Sequence, residues 1–245
     1  MGDDSAKMTE REGFLTLSEF EERFWSESDS IRISDPKVGR LGRHYVTQHP
    51  SRSKTGPGEK HVNELLPLLI LAKHEAGLHS NWGSILKLSP SFGEDRVTSS
   101  GLNFDAGYYF EDRNLGLESR SGHIEITRGI TDAESQELKA EDRDLSIGSI
   151  PEMKPRDILY GLEEMREGVL KAVEKKVKIF RCGKYPDDTA LLVWMRMEAN
   201  PRHGRAALSD SQFKDKVRLT AKGAFKRVCI VGQTCGVIWV VGDGL

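Results

Sequence analysis

The segment that most constrains this fold is Leu191 to Met197, an apolar strand that follows the best helical pattern in the chain, residues 157–179. A strand this apolar, interrupted only by Arg196, reads as buried within its sheet. The preceding helix carries Ile158, Leu162, Met165, Val169 and Val173 on one stripe, the pattern of a helix laid against such a sheet. Residues 101–110 alternate, with Leu102, Phe104 and Ala106 opposite Asn103, Asp105 and Gly107, and residues 122–128 alternate again, with Ile124 and Ile126 opposite His123, Glu125 and Thr127. Each of these strands carries an acid on its less apolar face.

The remaining pattern fills in the architecture. Residues 60–79 read as a largely buried helix closed near Gly77, with Pro67 either kinking it or marking its first turn. Leu15 to Trp25 reads as a short amphipathic helix after a mobile tail over 1–12, and 30–60 as a long loop. Residues 131–143 read as a charged helical stretch, and 212–225 as a helix. Residues 226–232 and 236–242 read as two strands, with a tight turn expected around Gln233 and Thr234. The expectation is an α/β fold, a mixed central sheet flanked by helices over 60–245. An acidic tail, short helix and basic loop precede it over 1–59.

A length of 245 residues suits one large domain or one domain with an appendage, and 37% apolar with 30% charged residues is a globular composition. The longest apolar stretch, Leu65 to Ala72, is far short of the roughly 20 residues that span a bilayer, so no membrane association is expected. The first residues show no basic start or apolar core of a secretory signal. Cys182, Cys229 and Cys235 form no C-x-x-C pair, so the reading is a cytoplasmic protein with free thiols and no cysteine-bound zinc. The formal net charge of −2 hides two basic blocks. One, Arg32 to Lys60, includes Arg40, Arg43, Arg52 and Lys54; the other, Arg202 to Arg227, includes Lys214, Lys216 and Arg218. Each suits either a solvated face or a phosphate backbone, where every lysine or arginine contact releases condensed counterions.

Several chemistries lack an anchor. His74 and His79 stand five apart, diverge by about 140° on a helix and cannot share a zinc-ligand face. Neither a G-x-x-x-x-G-K-[ST] phosphate loop nor a G-x-S-x-G elbow occurs. What remains is an order: a helix with Glu64, a strand with Asp105, a strand with Glu125-Ile126-Thr127, an amphipathic helix and an apolar strand. Over roughly residues 60–200 that order resembles the restriction-endonuclease-like, PD-(D/E)xK, nuclease superfamily. Its core has an acid on the first helix, an Asp on a strand and E-x-K on the next.

The resemblance implies a metal-dependent nuclease acting on nucleic-acid phosphodiesters, DNA rather than RNA by the superfamily's habit. Asp105 and Glu125 would ligate Mg²⁺ or Mn²⁺, with Glu64 helping through a water. A cation there makes a water more acidic and offsets charge on a phosphoryl oxygen. The sequence departs from the motif at Thr127, which stands where the superfamily has its lysine and could only hydrogen-bond the nucleophile. Some members take the lysine from the following helix. Lys176 lies eighteen residues after Ile158, five helical turns, and so falls on the inward stripe, whereas Lys171 and Lys175 point away from it. The missing motif lysine favours a second reading: a non-catalytic nucleic-acid- or protein-binding protein of the same fold, such as a phage or mobile-element inhibitor of host machinery. A homodimer or a protein partner is compatible with both.

Overall fold

A computed structural model describes residues 13–28, 64–79, 84–90, 96–98, 101–112, 118–129, 162–195, 201–232 and 235–245. These residues form nine strands and five helices. The strands are β1 (Leu15–Thr16), β2 (Ser84–Pro90), β3 (Arg96–Val97), β4 (Asn103–Phe104), β5 (Ala106–Asp112), β6 (Glu118–Arg128), β7 (Ala190–Met195), β8 (Val228–Gly232) and β9 (Gly236–Val241). The helices are α1 (Leu17–Ser28), α2 (Leu66–His79), α3 (Leu162–Arg181), α4 (Pro201–Ser209) and α5 (Ser211–Ala221).

Seven strands form a mixed sheet in the order β1-β2-β5-β6-β7-β8-β9, and β3 and β4 make a separate pair. Strands β6, β7 and β8 run parallel, and the other neighbours in the large sheet run antiparallel. Parallel neighbours need a crossover, and α3 lies between β6 and β7 in the chain while α4 and α5 lie between β7 and β8. All six residues of β7 are buried. Ala190, Leu192 and Trp194 join the core with α1 and α2, whereas Leu191, Val193 and Met195 join the core with α3 and α5. The apolar run of β7 thus reflects a strand with a helical layer on each face.

The helix expected over 60–79 is observed from Leu66, with Pro67 in its first turn, where a missing N–H costs nothing. It is apolar nearly all round and buried at Leu66, Leu68, Leu69, Leu71 and Ala72. Its Glu75, fully buried, accepts hydrogen bonds from Trp239 Nε1 and the Leu245 amide, both at 3.0 Å. Near the N-terminus, Thr16 and Glu19 cap α1 reciprocally: the Thr16 amide donates to the Glu19 carboxylate at 2.7 Å and the Glu19 amide to Thr16 Oγ1 at 3.3 Å. Phe20 and Phe24 bury completely, and β1 pairs with β2, so this N-terminal segment is part of the sheet and its core.

Several elements differ from the sequence expectation. Strand β2 was not anticipated; its Leu86 and Leu88 are buried while Lys87 between them points outward to Glu111. The continuous strand expected over 101–110 is broken at Asp105 into β4 and β5, which belong to different sheets. Alternation therefore does not carry across the break. Phe104 packs edge-on against His123, with ring centroids 4.6 Å apart, while Ala106 enters the α1 and α2 core. Helix α3 is described from Leu162, which is exposed at its start, while Met165, Val169 and Val173 are buried as the stripe requires. Helix α4 occupies part of the second basic block, and α5 is shorter than 212–225, beginning after Asp210, whose side chain accepts from the Phe213 amide. The tail over 1–12, the loop over 30–60, the stretch 131–143, Ile158, Gln233 and Thr234 lie outside the described residues.

Candidate metal and nuclease site

The site begins with the strand break. Where β5 starts, the Asp105 amide donates to Ile124 O at 3.0 Å, and the Asp105 carboxylate takes over the next position of the ladder by accepting from the Ile126 amide at 2.6 Å. A side chain thus replaces a strand carbonyl beside β6, which fixes the Asp105 carboxylate next to Glu125. Glu125 belongs to the face opposite Ile124 and Ile126, toward α3, and its register partner on β7 is Leu191. It is only 6% exposed.

Two side chains meet that buried carboxylate. Lys176 of α3, flanked by the buried Val173 and Val177, forms an ion pair with Glu125 Oε1. Tyr185 donates its hydroxyl to the same oxygen at 3.0 Å, and Lys176 Nζ lies 3.4 Å from that hydroxyl. Tyr185 arrives through the turn that closes α3, where Gly183, at φ +69°, adopts the left-handed conformation that L side chains rarely take and its amide bonds to Phe180 O. Its ring packs with Phe180 and Phe225.

The electrostatics follow from this crowding. Removal from water is the main cause that raises the Asp105 carboxyl to about 8, and the negative charge of Glu125 adds to it. The Ile126 hydrogen bond opposes the rise, Glu64 contributes further repulsion, and Lys176 relieves some of it. Burial, with the nearby Glu125 charge, likewise pushes the Tyr185 hydroxyl up, so it remains a donor. Glu64, in the turn just before α2, is therefore within electrostatic reach of Asp105. Glu64, Asp105, Glu125 and Lys176, far apart in the chain, are brought to one locality.

No protein-family model, curated protein or solved structure matches this chain.

What the locality can do rests on its own chemistry. Two carboxyl groups held together out of water, one of them keeping its proton up to about pH 8, form a site whose crowding a cation would relieve, and all the donors are oxygens, the ligands that hard cations prefer. Among the described residues no three His, Cys, Asp or Glu side chains converge as a metal cage. That is compatible with Mg²⁺, which keeps several waters and uses one or two carboxylates. Thr127 lies on the Glu125 face, paired with Val193, without a charge to offer.

Other residues of chemical interest surround the site. His123, two residues before Glu125 on the same face, places Nδ1 2.8 Å from Asp188 Oδ1; burial pushes the Asp188 carboxyl up, but the hydrogen bond to His123 together with the nearby His123 and Arg227 charges holds it below its usual range. Period-two alternation in β6 puts His123 on the Glu125 face, but nothing in the sequence pairs it with Asp188. Tyr185 had a weaker signal, an aromatic residue beside a glycine turn just ahead of a buried strand.

The second basic block is divided by the structure. Lys214 and Arg218 stand four apart on one side of α5, and Arg218 also pairs with Asp215 at 2.8 Å. Lys216 is about 200° round from Lys214 and lines a depression with Glu163, Glu167 and Asp210. Arg205 donates to Cys235 O at 2.6 Å and Arg227 to the Tyr108 hydroxyl, so both make internal bonds. Arg40, Arg43, Arg52 and Lys54 lie outside the described residues. No helix among the described residues is long and apolar enough to cross a membrane.

Proposed function

We propose that the chain is a metal-dependent nuclease that hydrolyses nucleic-acid phosphodiesters, with DNA as the first substrate to test. The observation that carries this reading is the meeting of Asp105 on the β4–β5 break with Glu125 on β6, with Lys176 of the following helix bound to Glu125. An acid in the turn that leads into a helix, an Asp at a strand break, a strand Glu and a helix-borne lysine follow one another in the order that the restriction-endonuclease-like superfamily uses. The sheet order β2-β5-β6-β7, with a helical crossover into the parallel β7, supports the same reading.

Asp105 and Glu125 would hold Mg²⁺ or Mn²⁺, with Glu64 acting through a water. The cation would supply a more acidic water and charge stabilisation at the phosphoryl group. Asp105 must give up its proton to take part, and Lys176 keeps the buried Glu125 carboxylate compensated. Thr127 would hydrogen-bond the attacking water, and Lys214 and Arg218 would approach the phosphate backbone.

Glu125→Gln tests the reading: Mg²⁺- or Mn²⁺-dependent cleavage of single-stranded, double-stranded and branched DNA by the wild type should vanish, with binding intact or tighter. A second reading, a non-catalytic nucleic-acid- or protein-binding protein of mobile-element or phage type, is favoured by Thr127 and by the engagement of Lys176 with Glu125. A wild type that binds DNA but never cuts it with either metal would select that reading.

A further inference from the structure

We infer that Tyr185 is a positioning residue of the cation site: together with Lys176 it holds one oxygen of Glu125 and leaves the other as the ligand. The inference rests on the reading of Asp105 and Glu125 as cation ligands and adds a residue that the motif order does not contain. Both donors converge on Oε1, the tyrosine hydroxyl at 3.0 Å and the lysine ammonium as an ion pair. Among the described residues, Oε2 carries no hydrogen bond. The terminal torsion of a glutamate is broad and nearly two-fold, so a carboxylate gripped at neither oxygen presents its lone pairs over a wide range of directions. Two donors on one oxygen remove that freedom.

The two donors differ in what they do to the charge. Lys176 offsets the carboxylate's negative charge, which burial requires, yet a second cation there would weaken attraction for a metal. Tyr185 supplies a direction without a charge. Its own position is determined from behind, because Tyr185 is buried and its ring centroid lies 6.5 Å from that of Phe180 and 6.2 Å from that of Phe225. Lys176 Nζ stands 5.8 Å from the centroid of the same ring, so tyrosine also bounds the space the ammonium can occupy. Hydrogen-bond partners of ligating carboxylates commonly set metal affinity, with losses of about 10- to 100-fold when they are removed.

The test is Mn²⁺ binding to the full chain, followed by calorimetry and by the electron spin resonance signal of free Mn²⁺. Tyr185→Phe keeps the ring and removes only the hydroxyl, and its Mn²⁺ affinity should fall about 10-fold. Phe225→Leu disturbs the packing behind the ring and keeps the hydroxyl; it should lower the melting temperature more than Tyr185→Phe while changing Mn²⁺ affinity less. In a Glu125→Gln background, Tyr185→Phe should have no further effect on Mn²⁺. Equal Mn²⁺ affinity of wild type and Tyr185→Phe would overturn this inference and leave the proposed site standing. A loss in Phe225→Leu as large as in Tyr185→Phe would also overturn it, by assigning the effect to packing. A wild type that binds no Mn²⁺ would overturn the site itself and the inference with it.

Discussion

Replacing Asp105 by Asn removes one ionisable group from the site while keeping an oxygen that can accept the Ile126 amide. Its effect should therefore depend on pH in a calculable way. In the folded chain the Asp105 carboxyl is raised from 3.8 to about 8, mainly by removal from water and by Glu125. Between those values the folded state holds a proton that the unfolded state has released. Stability from this group is fully present below about pH 4 and is lost as pH rises through 8. The loss accumulates across that window to several kcal/mol in all, on the order of one kcal/mol for each pH unit. Asn has no such dependence, and the other titrating groups are common to both proteins. Urea unfolding in chelator, at intervals from pH 4.5 to 9, should give Asp105→Asn a stability advantage that grows with pH and levels off above 8. Saturating Mn²⁺ at pH 8.5 should restore the wild type and do little for the variant. A stability difference that is constant between pH 5 and 8 would refute the reasoning, because it would mean that Asp105 does not carry a burial-shifted proton.

Lys176→Met leaves the buried Glu125 without its countercharge and should destabilise the protein by about 3 kcal/mol in urea unfolding at pH 8, whereas the exposed Lys175→Met should stay within about 0.5 kcal/mol; equal effects would remove the ion pair from the account. Glu75→Ala strands the Trp239 indole and the Leu245 amide, and should cost about 3 kcal/mol with faster hydrogen exchange at both groups; unchanged exchange would show that Glu75 does not anchor the C-terminal residues. Gly129→Ala drives a methyl into Met195 Sδ and to 3.2 Å from Val193 Cγ1, so a loss of roughly 1–3 kcal/mol is expected, smaller when combined with Met195→Ala. If α5 touches phosphate, Lys214→Gln with Arg218→Gln should flatten the salt dependence of DNA binding by about two units in the log–log slope, and Lys216→Gln should leave it nearly unchanged.

Periodicity in the sequence determined which side of an element a residue occupies. The apolar run of β7 marked a buried strand, the stripe through Met165, Val169 and Val173 turned Lys176 inward, and alternation in β6 put Glu125 opposite Ile124 and Ile126. These are local signals, because a repeat of 3.6 or 2 is carried by the chain itself. Which neighbour each side meets depended on pairings between segments far apart in sequence. Only the assembled sheet set β5 beside β6, broke the expected 101–110 strand at Asp105 so that its carboxylate could take the Ile126 amide, and turned Tyr185 back onto Glu125. The proton affinity of Asp105 belongs to this second class as well, since it follows from lost solvent and from the approach of Glu125 and Glu64. A carboxylate's identity is written in the sequence, but its charge state is a property of what the fold packs around it.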